Sequence, residues 1–196
     1  MIHPDTHIHY LGAEIGHGVF ATRPIPCGSI VYVQDALDIV ITQHDSRLED
    51  PRCTNTIARF SYLDENGNRV ISWDVGRYVN HCCQANTLST GWGFELAVRD
   101  IAAGEQITDD YRLYNYALSN PAAMGEMHCP YGFSACARSL ALTDPEQLIR
   151  EWDAILQGAL TSLATVAQPL WPYLPDHVRA DLHIGRYRSV REVIPL

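Results

Sequence analysis

The sequence predicts a mainly β domain built from short strands, followed by a small α-helical C-terminal extension. Three observations carry this expectation. Short β-branched and aromatic runs recur with turn residues every 8 to 12 positions through the first part of the chain, the spacing of an all-β or irregular β core. Asn66-Gly67 lies between two alternating segments, the strongest short hairpin signal. After about residue 140 the apolar residues recur at three- and four-residue steps instead, the period of an amphipathic helix. A length of 196 residues, with 46% hydrophobic and 19% charged residues, suits one globular domain plus an appendage, with a core that needs no disulfide staples.

The elements follow in order. Residues 7–10 alternate, and residues 19–21 and 29–33 form strand-like runs divided by Pro24, Pro26 and Gly28. Residues 37–42 make another apolar run, and residues 59–63 and 69–73 flank the Asn-Gly turn. Residues 94–98 and 106–108 complete the strands. Asp144 is placed to cap a helix, Pro145 takes its first position and Gln147 completes a capping-box pattern. Leu148, Trp152, Ile155, Leu156, Leu160 and Leu163 then mark one helical face to about Ala167, before Pro169. A second short helix is expected over 176–184, ending at Gly185.

Charge and composition exclude several functions. All 14 basic residues are arginine, so lysine Schiff-base chemistry and a lysine-bearing phosphate loop are ruled out. The net charge of −9 disfavours direct nucleic-acid binding and favours a basic partner. The six cysteines show no C-x-x-C spacing and the N-terminal residues are polar. Free thiols or metal ligands are therefore expected, in a soluble intracellular protein. The longest uncharged run, 154–175, contains three prolines and several polar residues, which argues against a membrane span.

Three segments carry candidate chemistry. Gly16-His17-Gly18-Val19-Phe20-Ala21 puts two glycines around one residue, letting backbone approach a ligand. Gly76-Arg77-Tyr78-Val79-Asn80-His81-Cys82-Cys83-Gln84-Ala85-Asn86 is a dense polar run between apolar strands. Residues 97–111 join two short strands through Gly104 and end in Asp109-Asp110-Tyr111.

In order and spacing, these segments resemble the SET-domain family of protein lysine methyltransferases. That family has a G-x-G turn leading to F-A, then R-F-I-N-H-S-C-x-P-N, then A-x-R-D-I-x-x-G-E-E-I-x-x-D-Y. The match covers roughly residues 5 to 116. It implies a β-clip of small sheets with a pseudoknot, S-adenosyl-L-methionine as methyl donor, and a target lysine entering by a channel from the opposite face. Gly16, His17, Gly18, Arg77, Asn80, His81 and Tyr111 would hold the donor, with Tyr111 at the point of methyl transfer. Asp109 and Tyr62 would line the substrate channel. The substrate implied is a lysine-containing protein, such as a histone or another basic protein. The domains expected are 1–116 as the SET domain, 117–140 as a loop like the family's post-SET segment, and 141–196 as the helical extension.

The chain departs from the pattern at informative places. Cys82 and Ala85 replace a serine and a proline. Asp109 stands where the family usually has Phe or Tyr, the residue that tunes how many methyl groups fit. A channel-facing carboxylate there would favour the protonated, unreactive amine. It leaves a second function open, a SET-fold interaction module with weak or no catalysis. Whether water or Tyr111 helps the lysine lose its proton is also open. Cys129 and Cys136 keep the spacing of the family's downstream zinc cysteines, but Tyr131 replaces the middle one. With Cys83 they give three thiols where zinc takes four ligands. Cys82, His128 or water would complete the set, or the loop holds no zinc.

Overall fold

The computed structural model describes residues 1–112 and 144–193. β1 (Thr6–Gly12) and β2 (Gly16–Ala21) form an antiparallel hairpin, followed by β3 (Ile30–Tyr32) and β4 (Ile39–Ile41). Helix α1 (Pro51–Phe60) leads into β5 (Ser61–Leu63) and β6 (Arg69–Ile71), which pair antiparallel around the Asn66-Gly67 turn. The Asp64 carboxylate accepts the backbone N–H groups of Asn66 and Asn68 at 2.9 and 2.8 Å. Gly67 sits at φ +73°, a conformation that glycine adopts without steric cost. Then come β7 (Asn80–His81), β8 (Thr87–Ser89), β9 (Glu95–Ala97) and β10 (Gln106–Asp109). The extension carries α2 (Pro145–Leu160) and α3 (Asp176–His183).

The larger sheet runs β1-β2-β10-β8-β9-β3, with β7 also paired to β10, and the smaller runs β4-β6-β5. β10 is the organising strand. It pairs antiparallel with β2 through Gln106–Phe20 and Ile107–Val19. It pairs parallel with β7 through Thr108–Asn80 and Asp109–His81, so the closing segment draws the first two segments together. Asn86 fixes this arrangement. Its buried side chain donates to the Gln106 carbonyl at 2.8 Å and accepts the Thr108 N–H at 2.9 Å.

Two apolar clusters hold the sheets. Val19, Ile25, Ile101 and Ile107 pack beneath the β2–β10 region. Ile30, Leu88, Phe94 and Leu96 pack against Leu148, Trp152, Leu156 and Leu163 of the extension. At about 1.5–3 kcal/mol for each large side chain removed from water, this second cluster makes the extension part of the core. Gly28 permits the approach, since a Cβ there would lie 2.9 Å from the Ala159 carbonyl oxygen. Gln168 completes it by bonding the Ile30 N–H and the Gly28 carbonyl at 2.9 and 2.7 Å.

The mainly β fold with a helical C-terminus is the one expected, with local differences. Helix α1 was not expected. Only Ile57 in it is buried, so its apolar period is faint, although Asp50 caps it by accepting the Arg52 N–H at 2.9 Å. Arg59 and Phe60 therefore end a helix rather than begin a strand. Helix α2 stops at Leu160, short of Ala167, because the Thr161 hydroxyl takes the Gly158 carbonyl at 2.6 Å and draws the chain into single turns. Asp144 caps it through the Glu146 N–H at 3.0 Å, but Gln147 reaches forward to Glu151 at 2.8 Å and leaves the capping box open. Helix α3 falls where expected, and Gly185 follows it at φ +69°. Among the described residues, no helix is long and apolar enough to cross a membrane.

Candidate active site

The Asn80 amide donates to the His17 carbonyl at 2.9 Å, so the G-x-G turn and the Asn-His strand touch directly. The His17 and Tyr78 rings lie 5.3 Å apart beside this contact. Gly16 has φ +85°, and a Cβ there would come within 2.9 Å of the Arg59 guanidinium. Arg77 bonds the Trp73 carbonyl at 3.2 Å and sits 5.5 Å from the centre of the Tyr78 ring. Its Nε is buried with no hydrogen-bond partner among the described residues. A buried N–H with no acceptor is unfavourable by about 1–3 kcal/mol.

His81 is buried and braced. Its Nδ1 accepts the Tyr111 N–H at 3.1 Å, and its Nε2 lies 3.4 Å from Cys83 Sγ. Burial lowers its pKa, opposed by Asp110, whose Oδ1 is 3.8 Å away. The ring is thus neutral with its proton assigned to Nε2. Asp110 is itself buried and held by Arg112, with Nε and Nη2 contacts of 2.9 and 2.5 Å.

The Tyr111 hydroxyl donates to the Val79 carbonyl. Tyr111, Tyr62 and Asp109 line one cavity of about 760 Å³, into which Arg77 also faces. Burial first, then the nearby Asp109 and Glu95, drives the Tyr111 pKa above the ordinary phenol range. Burial does the same for Tyr62, whose hydroxyl lies 3.4 Å from both Tyr32 Oη and Gln34 Oε1.

Glu95, in β9, is a site residue that the sequence expectations missed. It lines the same cavity. One carboxyl oxygen accepts the Ser89 hydroxyl, and the other is buried without a hydrogen-bond partner among the described residues. Burial pushes its pKa up to about 7, against hydrogen bonding to Ser89 and to the neighbouring Asp109 carboxyl. Burial, then Glu95 and Asp110, raises Asp109 well above the usual carboxylate range. Among the described residues no arginine or histidine forms an ion pair with either acid. The signal was present: a glutamate between Phe94 and Leu96, inside an otherwise apolar run, is the informative residue of that run.

The extension supplies another wall, with Tyr173, Leu174, His177, Val178 and Arg188 facing the cavity. It is pinned by Asp153, which accepts the Tyr187 and Ser189 hydroxyls at 2.6 Å each. Trp92 also donates to Asp181 at 3.3 Å.

The zinc expectation meets a different arrangement. Cys129 and Cys136 lie outside the described residues. Cys83 is disulfide-bonded, whereas Cys27 and Cys53 are free thiols. A disulfide sulfur carries no thiolate, the form that binds zinc, so the described part of this site does not fit the metal. The methyl donor fares better. The G-x-G turn meets Asn80, and the unpartnered Arg77 Nε–H is available to an anionic group such as the donor's carboxylate.

Residues 16–112 match the family model of the SET domain. This part of the chain belongs to the SET-domain family. A Variant-silencing SET domain-containing protein of Plasmodium falciparum (isolate 3D7) is 32% identical over 125 residues, covering 55% of this chain. This chain spans only 5% of that protein. A solved Plasmodium falciparum structure, provisionally assigned as a histone methyltransferase, aligns with TM-score 0.41 and 18% identity over 56% of this chain and 95% of that one. The SET-domain match takes in Arg77, Asn80, His81, Asp109 and Tyr111, all gathered around β10.

Proposed function

We propose that this SET-domain chain transfers a methyl group from S-adenosyl-L-methionine to the side-chain amine of lysine in a basic protein, of which histones are one class. The observation that carries this is the convergence around β10: Asn80, in the strand paired to β10, holds the G-x-G turn, and Tyr111, just after β10, bonds the adjacent Val79 and lines a cavity. The donor's sulfonium supplies an electrophilic methyl group. Backbone groups of residues 16–18, the backbone of His81, and the side chains of Asn80 and Arg77 hold it. The His81 ring acts from behind, bracing the Tyr111 backbone.

The channel residues position rather than activate. The Tyr111 hydroxyl donates a hydrogen bond to the Val79 carbonyl, which leaves the hydroxyl oxygen's lone pairs to hold the incoming amine. Tyr62 and Tyr32 place further hydroxyls in the same cavity. Such alignment in a water-poor site lowers the barrier without a strong nucleophile. Residues 1–116 form the catalytic domain in this scheme, and 141–196 form the extension that walls the channel. The net charge of −9 favours a lysine-rich substrate over an acidic one.

The test is transfer of labelled methyl from S-adenosyl-L-methionine to core histones and to whole lysates, with the modified residue located by mass spectrometry. The chain has no lysine of its own, so label on lysine reports substrate alone. Label on lysine supports the reading, and its absence from every protein overturns it. The two acids in the channel favour the second reading, an interaction module without catalysis. Calorimetry separates the two, since a module need not bind S-adenosyl-L-methionine or its demethylated product.

A further inference from the structure

The catalytic scheme gives Glu95 and Asp109 no role. Two buried acids side by side are unfavourable unless a cation pairs with them, and among the described residues none forms an ion pair with either. The substrate is itself a cation. Lysine is an ammonium at neutral pH, and its nitrogen has no lone pair until a proton leaves.

We propose that Glu95, sharing the cavity with Asp109, accepts the proton that the substrate ammonium must lose. The inference rests on the lysine-directed transfer proposed above. Other groups near the pair are poorly suited. Tyr111 is engaged with the Val79 carbonyl, and burial keeps it protonated. Tyr62 is protonated for the same reason, and the Tyr32 hydroxyl donates to Asp38 at 2.7 Å. Asp110 is closed off by Arg112. Arg77 has no acceptor lone pair. From the extension, Arg188 pairs with Glu65 and Glu192 at 3.2 and 3.5 Å, and His177 lies along the cavity wall. Among the described residues, Glu95 has a buried carboxyl oxygen that no basic group engages, and its neighbour there is the Asp109 carboxyl.

The step balances simply. One N–H bond of the ammonium breaks, one O–H bond forms on Glu95, and the nitrogen keeps the electron pair with which it attacks. Burial favours this transfer from both sides, because it raises the carboxyl pKa and lowers that of the amine. Asp109 contributes by holding a proton. Two adjacent carboxyls ionise in separate steps, so the pair offers one charge rather than two. This reverses the effect expected of a lone Asp109 carboxylate, which would trap the ammonium. Solvent takes the proton from Glu95 after product leaves.

The experiment is kcat and KM against pH from 6 to 10 on core histones, for wild type, Glu95→Gln, Asp109→Asn and Ser89→Ala, with thermal melts to confirm folding. Glu95→Gln should lower kcat by about 10²-fold at pH 7 with KM little changed, and recover toward pH 10 as the amine deprotonates unaided. Ser89→Ala removes a hydrogen bond that lowers the Glu95 pKa, so the acidic limb of its profile should move to higher pH, even if Glu95→Gln does not fold. Asp109→Asn should shift less than Glu95→Gln. Superimposable profiles, or a shift to lower pH with raised KM, overturn the role of Glu95 while leaving lysine methylation standing. A wild type that labels no protein at any pH overturns both.

Discussion

At the Asn80–His81 end of the site the polar side chains are engaged inside the protein, whereas at the Glu95–Asp109 end two carboxyls face a cavity and, among the described residues, form no ion pair. Asn80 holds the His17 carbonyl, and His81 holds the Tyr111 N–H. These contacts make a rigid platform that can present backbone groups to a ligand. The channel end has its rigidity from strand pairing and the Ser89 hydroxyl, and leaves its charge unmatched. The difference separates two jobs. A platform for a donor must be preorganised before the donor arrives, while a channel for a cation can leave the last partner to the substrate.

The largest expected break in this comparison is at the residue between the two ends. Tyr111→Phe keeps the ring but removes the hydroxyl from the proposed point of transfer. It should lower methyl transfer by roughly 10²-fold or more, while the lost bond to Val79 shifts stability by only about 1 kcal/mol. Methyl-transfer assays paired with thermal melts check this, and unchanged turnover would take Tyr111 out of the mechanism. On the platform side, Arg77→Met or Asn80→Ala should weaken binding of the demethylated donor product by about 1–3 kcal/mol. Calorimetry reads this directly, and Glu95→Gln serves as the channel-side control with donor affinity close to wild type.

The extension can be used to deform the channel alone. Gly91 lies against the tail, where a Cβ would come within 2.3 Å of the Arg188 carbonyl oxygen and 2.6 Å of that of Ser189. Gly91→Ala should destabilise by about 1–3 kcal/mol through overpacking. It should also raise KM for the protein substrate more than it weakens donor binding, because Arg188 faces the cavity. Equal effects on both ligands would show that the two ends are not separable.

The platform was legible in the sequence because its residues sit in tight, ordered motifs: the glycine pair, the Asn-His pair and the closing tyrosine. The strands and the Asn66-Gly67 hairpin were legible for local reasons, alternation and turn chemistry. The channel was only half legible. Asp109 stood out against the motif, but Glu95 lies in a strand with no motif of its own, and its proximity to Asp109 comes from the pairing of β8 with both β9 and β10. Helix α1 was hidden because one face buries little more than Ile57. The extension read as a helix packed on the core. Its place in the channel wall depends on the tail after α3, positioned by the long-range bonds from Asp153 to Tyr187 and Ser189.

The smallest expected effect is on stability, and it needs neither donor nor substrate. Glu95 has a folded-state pKa raised to about 7, chiefly by burial, against an ordinary value near 4.3 in the unfolded chain. The folded protein therefore binds this proton more tightly than the unfolded one. Its stabilising share is complete below about pH 4 and is lost as pH rises through about 7. Asp109, shifted in the same direction, extends the loss to higher pH. Other carboxylates run the opposite way: Asp35, held down by Trp73 and the N-terminal amine, and Glu105, held down by Ala102 and Arg99, stabilise as pH rises. The total pH dependence is thus a sum, and the pair is isolated only by difference. Melting wild type and Glu95→Gln in parallel from pH 5 to 8.5 should give a gap that moves in favour of the variant with rising pH, by on the order of 1–2 kcal/mol. Curves that stay parallel would mean that Glu95 holds no proton near neutrality, and the contrast between the two ends of the site would then be one of shape alone.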